Sequence, residues 1–177
     1  IGHAADNVGN PEVVVVSSAI PDTNPELAYA RASGMEVWPR AKMLAHLAGG
    51  DATLAVAGTH GKTTTSSMLA AALVGMGLDP TFLIGGELSD LGTNARCGQG
   101  GYYVVEADES DGSFLFLDPH VSLITNIEAD HLDHYGSVDA IIDTFGEFIG
   151  KTSRDGVVVV CADDKRLVSL AREHARC

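Results

Sequence analysis

The sequence predicts an α/β fold in which helices cover both faces of a mostly parallel β-sheet. Two observations predict it. Short apolar runs alternate with segments of helical character along most of the chain, and this alternation is typical of parallel sheets. The runs are also apolar at consecutive positions, as expected for strands that are buried on both faces.

The first 48 residues predict a strand, a helix, a second strand and a second helix. The β-branched run at 12–19 is typical of a buried strand. The other elements are predicted at 26–33, 36–38 and 40–47, with Gly34 ending the first helix. Gly49-Gly50-Asp51 indicates a linker. Because so short a stretch cannot complete an α/β domain, we expect the end of a larger one.

Residues 49–177 restart the alternation. Strands are predicted at 53–57, 81–84, 102–106, 121–125 and 157–161, and helices at 63–76, 138–149 and 164–174. The segment 88–101 is glycine-rich and polar, which predicts an irregular loop. No strand follows the last helix, so we expect this second domain to be incomplete and the chain to be part of a longer protein.

Composition limits the classes of partner. The net charge of −13 disfavours nucleic acid and anionic lipid, since such a surface repels phosphates. A phosphate ligand therefore requires a local site of backbone amides, a few cations and a metal. The three cysteines form no CxxC pair and favour a reducing compartment. No secretion signal and no apolar run of about 18 residues is evident.

A candidate phosphate loop follows the strand at 53–57 and begins the next helix. Its residues are Gly58, Thr59, His60, Gly61, Lys62, Thr63 and Thr64. The glycines allow a phosphate to approach the backbone, and the helix start presents free amides to it. Lys62 could reach the β- and γ-phosphates, and the Thr63 hydroxyl could hold Mg²⁺. The standard pattern has glycine where this chain has Val56, so a glycine-rich turn without a ligand remains the alternative.

Two later strands end in polar residues. Glu106 ends one strand and begins an acidic run that contains Asp108, Glu109 and Asp111. The next strand is followed by Asn126, Asp130 and His131. Because parallel strands direct their carboxyl ends to one edge, these groups could meet a metal held by Thr63. A solvated acidic loop is the alternative for the first set. Zinc is disfavoured because no thiolate lies nearby, and His134 is interpreted as a surface residue.

These three segments together resemble the Mur ligases. The resemblance is carried by 58–64, by 106–115 (EADESDGSFL) and by 124–133 (ITNIEADHLD), with further support from 17–20, 24–26, 85–88 and 92–96. It covers nearly the whole chain. Within the family, the motifs are most similar to those of the enzymes that join L-alanine to UDP-N-acetylmuramate.

The resemblance implies an ATP-dependent reaction through an acyl phosphate, with ATP and Mg²⁺, or Mn²⁺, as cofactors. The implied catalytic residues are Lys62, Glu106 and His131. Thr63 and Glu106 would hold one Mg²⁺, and His131 a second metal. The implied contacts to the sugar nucleotide are Asn94, Ala95, Arg96 and Asn126. The helix at 138–149 has no lysine, so we do not expect the carbamylated lysine of some Mur ligases.

The resemblance also implies a domain organisation. Residues 1–48 would be the C-terminal part of a Rossmann-like domain that binds the UDP substrate, and 49–177 part of a P-loop-type central ATP-binding domain. The implied partners are small molecules, namely ATP, UDP-N-acetylmuramate and L-alanine. The implied setting is the cytoplasm, in peptidoglycan synthesis, cell wall biogenesis, cell shape and cell division. The alternatives are a Mur-type ligase of murein-tripeptide recycling or folate polyglutamylation, and a non-catalytic ATP-binding module.

Overall fold

The structure, a computed structural model, describes residues 2–88 and 92–177. The chain divides into two compact units, Ile1–Leu47 and Ala48–Cys177. The part of the predicted loop at 89–91 lies outside the described residues.

The first unit contains two parallel strands and two helices. A short 3₁₀ helix at Ala5–Asn7 precedes β1 (Val13–Val16), α1 (Pro25–Ala32), β2 (Glu36–Pro39) and α2 (Arg40–Leu47). The Asn24 side chain accepts hydrogen bonds from the amides of Glu26 and Leu27, and Pro25 occupies the first turn. This side-chain cap, together with a proline that needs no amide partner, begins α1 one residue earlier than predicted.

The second unit is a six-stranded sheet with helices. Its elements are β3 (Ala52–Ala57), α3 (Lys62–Gly75), β4 (Thr81–Leu88), β5 (Thr93–Arg96), β6 (Tyr102–Glu106), a 3₁₀ turn (Ser113–Phe116), β7 (Val121–Ile124), α4 (Leu132–Tyr135), α5 (Val138–Gly150), β8 (Val157–Val160) and α6 (Lys165–His174). The strand order is β5-β4-β6-β3-β7-β8, and each neighbouring pair is parallel except β4–β5. In the described parts of the chain, no helix has the length and apolar character needed to span a bilayer.

The prediction of an irregular loop over 88–101 is wrong at 93–96, which forms the antiparallel edge strand β5. Arg96 pairs with Phe82, and Ala95 with Leu83. The sequence Thr-Asn-Ala-Arg has no apolar periodicity because an edge strand is only partly buried, so pairing with β4 alone makes it a strand. The four-residue helix α4 was also not predicted.

The core of this unit lies on both faces of the sheet. On one face, Leu54, Phe82 and Val104 pack with Ala70 and Leu73 of α3. On the other face, the buried Ser122 hydroxyl lies 2.7 Å from the hydroxyl of Thr152, which follows α5. Phe114 stacks on Phe148 of α5 at 4.7 Å and meets Phe145 edge-on at 5.3 Å. The predicted arrangement of a mostly parallel sheet between helices is confirmed.

Phe148→Ala tests the aromatic cluster. Phe148 is fully buried, so its truncation should lower the free energy of unfolding by about 3–5 kcal/mol. Met68→Ala is the control, because Met68 is 68% exposed and its truncation should change stability by less than about 0.5 kcal/mol. Urea denaturation measures both, and equal losses would contradict the packing described.

Candidate functional site

The carboxyl ends of three adjacent strands form the candidate site. The central strand β3 pairs with β6 on one side and with β7 on the other. In this register Val56 lies beside Glu106, and Ala57 beside Ile124. The loop after β3, the end of β6 and the segment after β7 therefore meet at one edge, where ligands of open parallel sheets bind.

The loop between β3 and α3 has the backbone geometry of an anion cradle. Gly61 precedes the helix with φ 83° and provides no side-chain cap. The first helical bond runs from the Thr65 amide to the Gly61 carbonyl. The amides of Lys62, Thr63 and Thr64 therefore have no acceptor within the helix and can bind an anion, with the helix dipole aligned to assist.

The segment after β7 holds this loop in place. The Asn126 side chain accepts a hydrogen bond from the His60 amide and donates one to the His60 carbonyl, each at 2.9 Å. The Thr125 hydroxyl also donates to the His60 carbonyl, at 2.6 Å. The Thr59 hydroxyl accepts from the Glu128 amide at 2.9 Å. These bonds fix the loop against the segment that follows β7.

Thr63 and Glu106 lie together, as predicted. The Thr63 hydroxyl donates to one carboxylate oxygen of Glu106 at 3.0 Å, and the other oxygen accepts from the Gly85 amide at 2.9 Å. A Cβ on Gly85 would lie 3.0 Å from the Glu106 carboxylate, and one on Gly86 would lie 2.9 Å from Thr63. The glycine pair inside β4 therefore permits this close approach.

Lys62 lies at the same edge but is paired with another acid. Its ammonium donates to the Gly58 carbonyl at 2.7 Å, to the Thr59 carbonyl at 3.3 Å and to Oε1 of Glu109 at 2.9 Å. The Lys62 and Glu109 side chains are 15% and 3% exposed. Both carboxylate oxygens of Glu109 lie 2.9 Å from the ammonium, but only Oε1 has the geometry of a hydrogen bond, and Oε2 is buried without one.

Tyr135 of α4 anchors the backbone of Glu109. Its hydroxyl donates a short hydrogen bond to the Glu109 carbonyl. Burial raises the pKa of Tyr135 to about 12, and the negative charge of Glu109 adds to this effect. The phenol therefore remains a donor at neutral pH.

His131 lies just before α4. Its imidazole is 37% exposed and lies 3.9 Å from the Asp130 carboxylate, which also accepts the His131 amide at 2.8 Å. His131 has φ 52°, one of two positive values among the described non-glycine residues. Such strain costs about 1–2 kcal/mol and is frequent at functional sites. Among the described residues, the ion-pair partner of its side chain is Asp130.

The predicted substrate residues have other partners in the structure. Arg96 forms a short ion pair with Asp79 and lies beside Phe82, near the amino end of β4. Gly85 is three positions after Phe82 in β4, which is about 10 Å along a strand. Asn94 and Ala95 belong to the same edge strand, and the amide of Asn126 is used by the phosphate loop. Contact of these residues with a sugar nucleotide stays a prediction.

Glu109 is the site residue that sequence reasoning did not select. In the sequence Glu109 is one of four acids within six residues, and nothing in residue type distinguishes it from the others. A signal was available in the sequence, because Val105, Ala107 and Glu109 alternate with Glu106 and Asp108, and in the structure Ala107 and Glu109 are buried while Asp108 is exposed. The period of two continues past the end of β6 and places Glu109 on the face of Ala107.

A hard divalent cation fits the Thr63–Glu106 pair. Across residues 2–88 and 92–177, no group of three His, Cys, Asp or Glu side chains is close enough to hold a metal by itself. One hydroxyl and one carboxylate leave most of an octahedral shell to phosphate and water, as is usual for Mg²⁺. Zinc is disfavoured because this pair contains neither a thiolate nor an imidazole.

The fold and the site define an α/β domain with a phosphate loop at the amino end of a helix. The profile described as "Mur ligase middle domain" matches residues 56–176, and that described as "Mur ligase family, catalytic domain" matches residues 1–51. The chain belongs to the Mur ligase family.

Curated relatives of high identity carry one name. UDP-N-acetylmuramate–L-alanine ligase of Geobacter sp. (strain M21) is 56% identical over 163 residues, which are 92% of this chain and 35% of that protein. The enzyme of that name from Renibacterium salmoninarum is 50% identical over 98% of this chain and 37% of its own length. The chain thus spans little more than a third of these relatives.

Solved structures of two ligase types are similar in shape. UDP-N-acetylmuramate:L-alanyl-γ-D-glutamyl-meso-diaminopimelate ligase of Neisseria meningitidis has a TM-score of 0.89 at 27% identity, covering 99% of this chain and 60% of that one. UDP-N-acetylmuramate–alanine ligase of Thermotoga maritima has a TM-score of 0.83 at 32% identity, covering 96% and 40%. Shape alone does not separate the two types.

Gly58→Ala tests the construction of the loop. A Cβ on Gly58, which has φ 129°, would lie 2.1 Å from the Thr125 hydroxyl and 2.9 Å from the Asn126 carbonyl. Gly61→Ala is the matched control, because nothing lies within 4 Å of its Cβ position, and it should cost only the left-handed strain of about 1–2 kcal/mol. Chemical denaturation should show a larger loss for Gly58→Ala, and the opposite order would contradict the packing of the loop against β7.

Proposed function

We propose that this chain is the phosphate- and metal-binding part of an ATP-dependent ligase that joins L-alanine to UDP-N-acetylmuramate. The observation that carries the proposal is the Thr63–Glu106 hydrogen bond at the start of α3, beside the free amides of the phosphate loop. A hydroxyl and a carboxylate in this position suit a Mg²⁺-bound triphosphate. The 50–56% identity to enzymes of that name supports the choice of substrates.

The reaction would proceed through an acyl phosphate. ATP would transfer its γ-phosphoryl group to the carboxylate of UDP-N-acetylmuramate, and the amine of L-alanine would then displace phosphate. The amides of Lys62, Thr63 and Thr64 would bind the phosphates, and the Lys62 ammonium would neutralise the charge that develops on them. Positioning and charge neutralisation are the main demands of phosphoryl transfer, and this site offers both.

Thr63 and Glu106 would hold Mg²⁺, with Mn²⁺ as a substitute. Bound there, the ion would offset negative charge on the phosphates. His131 would be a ligand of a second metal. Its strained backbone supports a functional role. Asp130 would orient the imidazole.

The remaining assignments extend to the whole protein. Residues 1–48 would belong to the domain that binds the UDP substrate, and 49–177 to the central ATP-binding domain. The partners would be ATP, UDP-N-acetylmuramate and L-alanine in the cytoplasm, in peptidoglycan precursor synthesis. Because ligation in such enzymes requires parts beyond this chain, the 177 residues alone should bind ATP–Mg²⁺ weakly and should not ligate.

The second candidate is a ligase that attaches a murein tripeptide to the same sugar nucleotide. The observation that favours it is the TM-score of 0.89 to the Neisseria meningitidis enzyme. The sequence identity of 27% to that enzyme, against 56% to the Geobacter one, makes it the weaker candidate.

Metal-dependent nucleotide binding separates a ligase site from a non-catalytic module. Glu106→Gln should weaken Mg²⁺-dependent binding of ATP by about ten- to a hundredfold, because a ligand of the ion loses its charge. Glu147→Gln is the control, since it removes an exposed carboxylate from α5. Calorimetric titration with and without Mg²⁺ measures the effect. An ATP affinity that changes neither with Mg²⁺ nor with Glu106→Gln would support the non-catalytic ATP-binding module instead.

Choice of amine separates the two ligase types. The full-length protein, supplied with ATP and UDP-N-acetylmuramate, should release phosphate rapidly with L-alanine and at least about a hundredfold more slowly with the tripeptide, because its amine subsite would be built for the smaller nucleophile. Phosphate release is the measurement. The reverse preference would establish the recycling reaction, and alanine-dependent turnover by the 177-residue chain would contradict the need for further domains.

A further inference from the structure

The described residues provide an acceptor for each donor of the Lys62 ammonium. An ammonium has three donors, and the carbonyls of Gly58 and Thr59 and the carboxylate of Glu109 provide three acceptors. Two acceptors belong to the phosphate loop itself. The third comes from a different part of the chain and is the one that carries a charge.

Among the described residues, Lys62 is the cation that pairs with the Glu109 carboxylate. The carboxylate is almost completely buried, and Oε2 makes no hydrogen bond among the described residues. Removing the partner of a buried charge is costly, since the remaining charge is neither solvated nor compensated. Separating the Glu109 carboxylate from the Lys62 ammonium is therefore costly in free energy.

The backbone of Glu109 is held in place by hydrogen bonds. The Glu109 carbonyl accepts hydrogen bonds from the Tyr135 hydroxyl and from the Gly112 amide. Ala107 on the same face is buried at 1% exposure. These contacts fix the backbone from which the Glu109 carboxylate reaches the ammonium.

We propose that Glu109 is a positioning residue that competes with the phosphates of ATP for the Lys62 ammonium, and so lowers the affinity of the loop for nucleotide. This inference rests on the proposed function, because it takes the incoming anion to be a triphosphate. The phosphates must displace at least one acceptor of Lys62, and Glu109 is the acceptor that also repels them. Its charge holds Lys62 in the loop before binding and opposes tight retention of nucleotide afterwards.

Glu109→Gln tests the competition, because it keeps the shape and one acceptor oxygen but removes the charge. We expect ATP to bind about tenfold more tightly to Glu109→Gln than to the wild type, since a charge-assisted bond to Lys62 is replaced by a weaker neutral one. The control is Asp118→Asn, which removes the same charge from an exposed ion pair with Lys151 and should change the dissociation constant less than about twofold. Equal or weaker binding by Glu109→Gln would overturn the proposal.

A second measurement does not require ATP. In the ligand-free chain, limited acetylation followed by peptide mass spectrometry should modify Lys62 several-fold faster in Glu109→Gln than in the wild type, and Lys151 at the same rate in both. An equal acetylation rate of Lys62 in Glu109→Gln and in the wild type would show that Glu109 does not restrain the lysine.

Adding ATP to the wild type distinguishes this proposal from the proposed function. If ATP protects Lys62 but Glu109→Gln changes neither affinity nor labelling, only the role of Glu109 fails. If ATP neither binds nor protects Lys62, the proposed function fails, and the labelling result still decides whether Glu109 restrains the lysine.

Discussion

The parallel pairing of β3 with both β6 and β7 is the constraint on which the site depends. It brings the phosphate loop, Glu106 and the segment after β7 to one edge of the sheet. The close approach of Gly58 to Thr125 then fixes the loop against β7. The hydrogen bonds of Asn126 to His60 complete this connection. The backbone geometry of the cradle is therefore held by contacts within the chain, and such preorganisation reduces the ordering that binding requires.

The charges that would act on a phosphate ligand lie close to the candidate site. A chain with a net charge of −13 has no extended field that would attract a phosphate. The site instead concentrates one ammonium and a helix start at the sheet edge, with a carboxylate beside each functional group. Glu106 accepts from Thr63 and is suited to a cation, whereas Glu109 faces Lys62 and opposes an anion. Two acids three residues apart thus have opposite consequences for the binding of a Mg²⁺-bound nucleotide.

Much of the site could be predicted from the sequence. An apolar strand, a glycine-rich turn and Lys62-Thr63 at a helix start have local signals, and so does Glu106 at the end of an apolar run. The edge strand β5 was missed because its pairing with β4 is not encoded in apolar periodicity. The position of Arg96 near the amino end of β4 also follows from this antiparallel pairing. The contacts of His131, just before α4, likewise depend on tertiary packing.

The sequence by itself determined the α/β class, the phosphate loop and the membership of the Mur ligase family, because each depends on residues that are neighbours in the chain. The tertiary structure decided which acids act together with which groups. The run from Glu106 to Asp111 contains four acids that residue type alone does not distinguish. In the structure Glu106 bonds to Thr63, Glu109 is buried against Lys62, and Asp108 is exposed. The physical reason is that burial and pairing with a distant element, rather than residue type, set the free energy of a charged group.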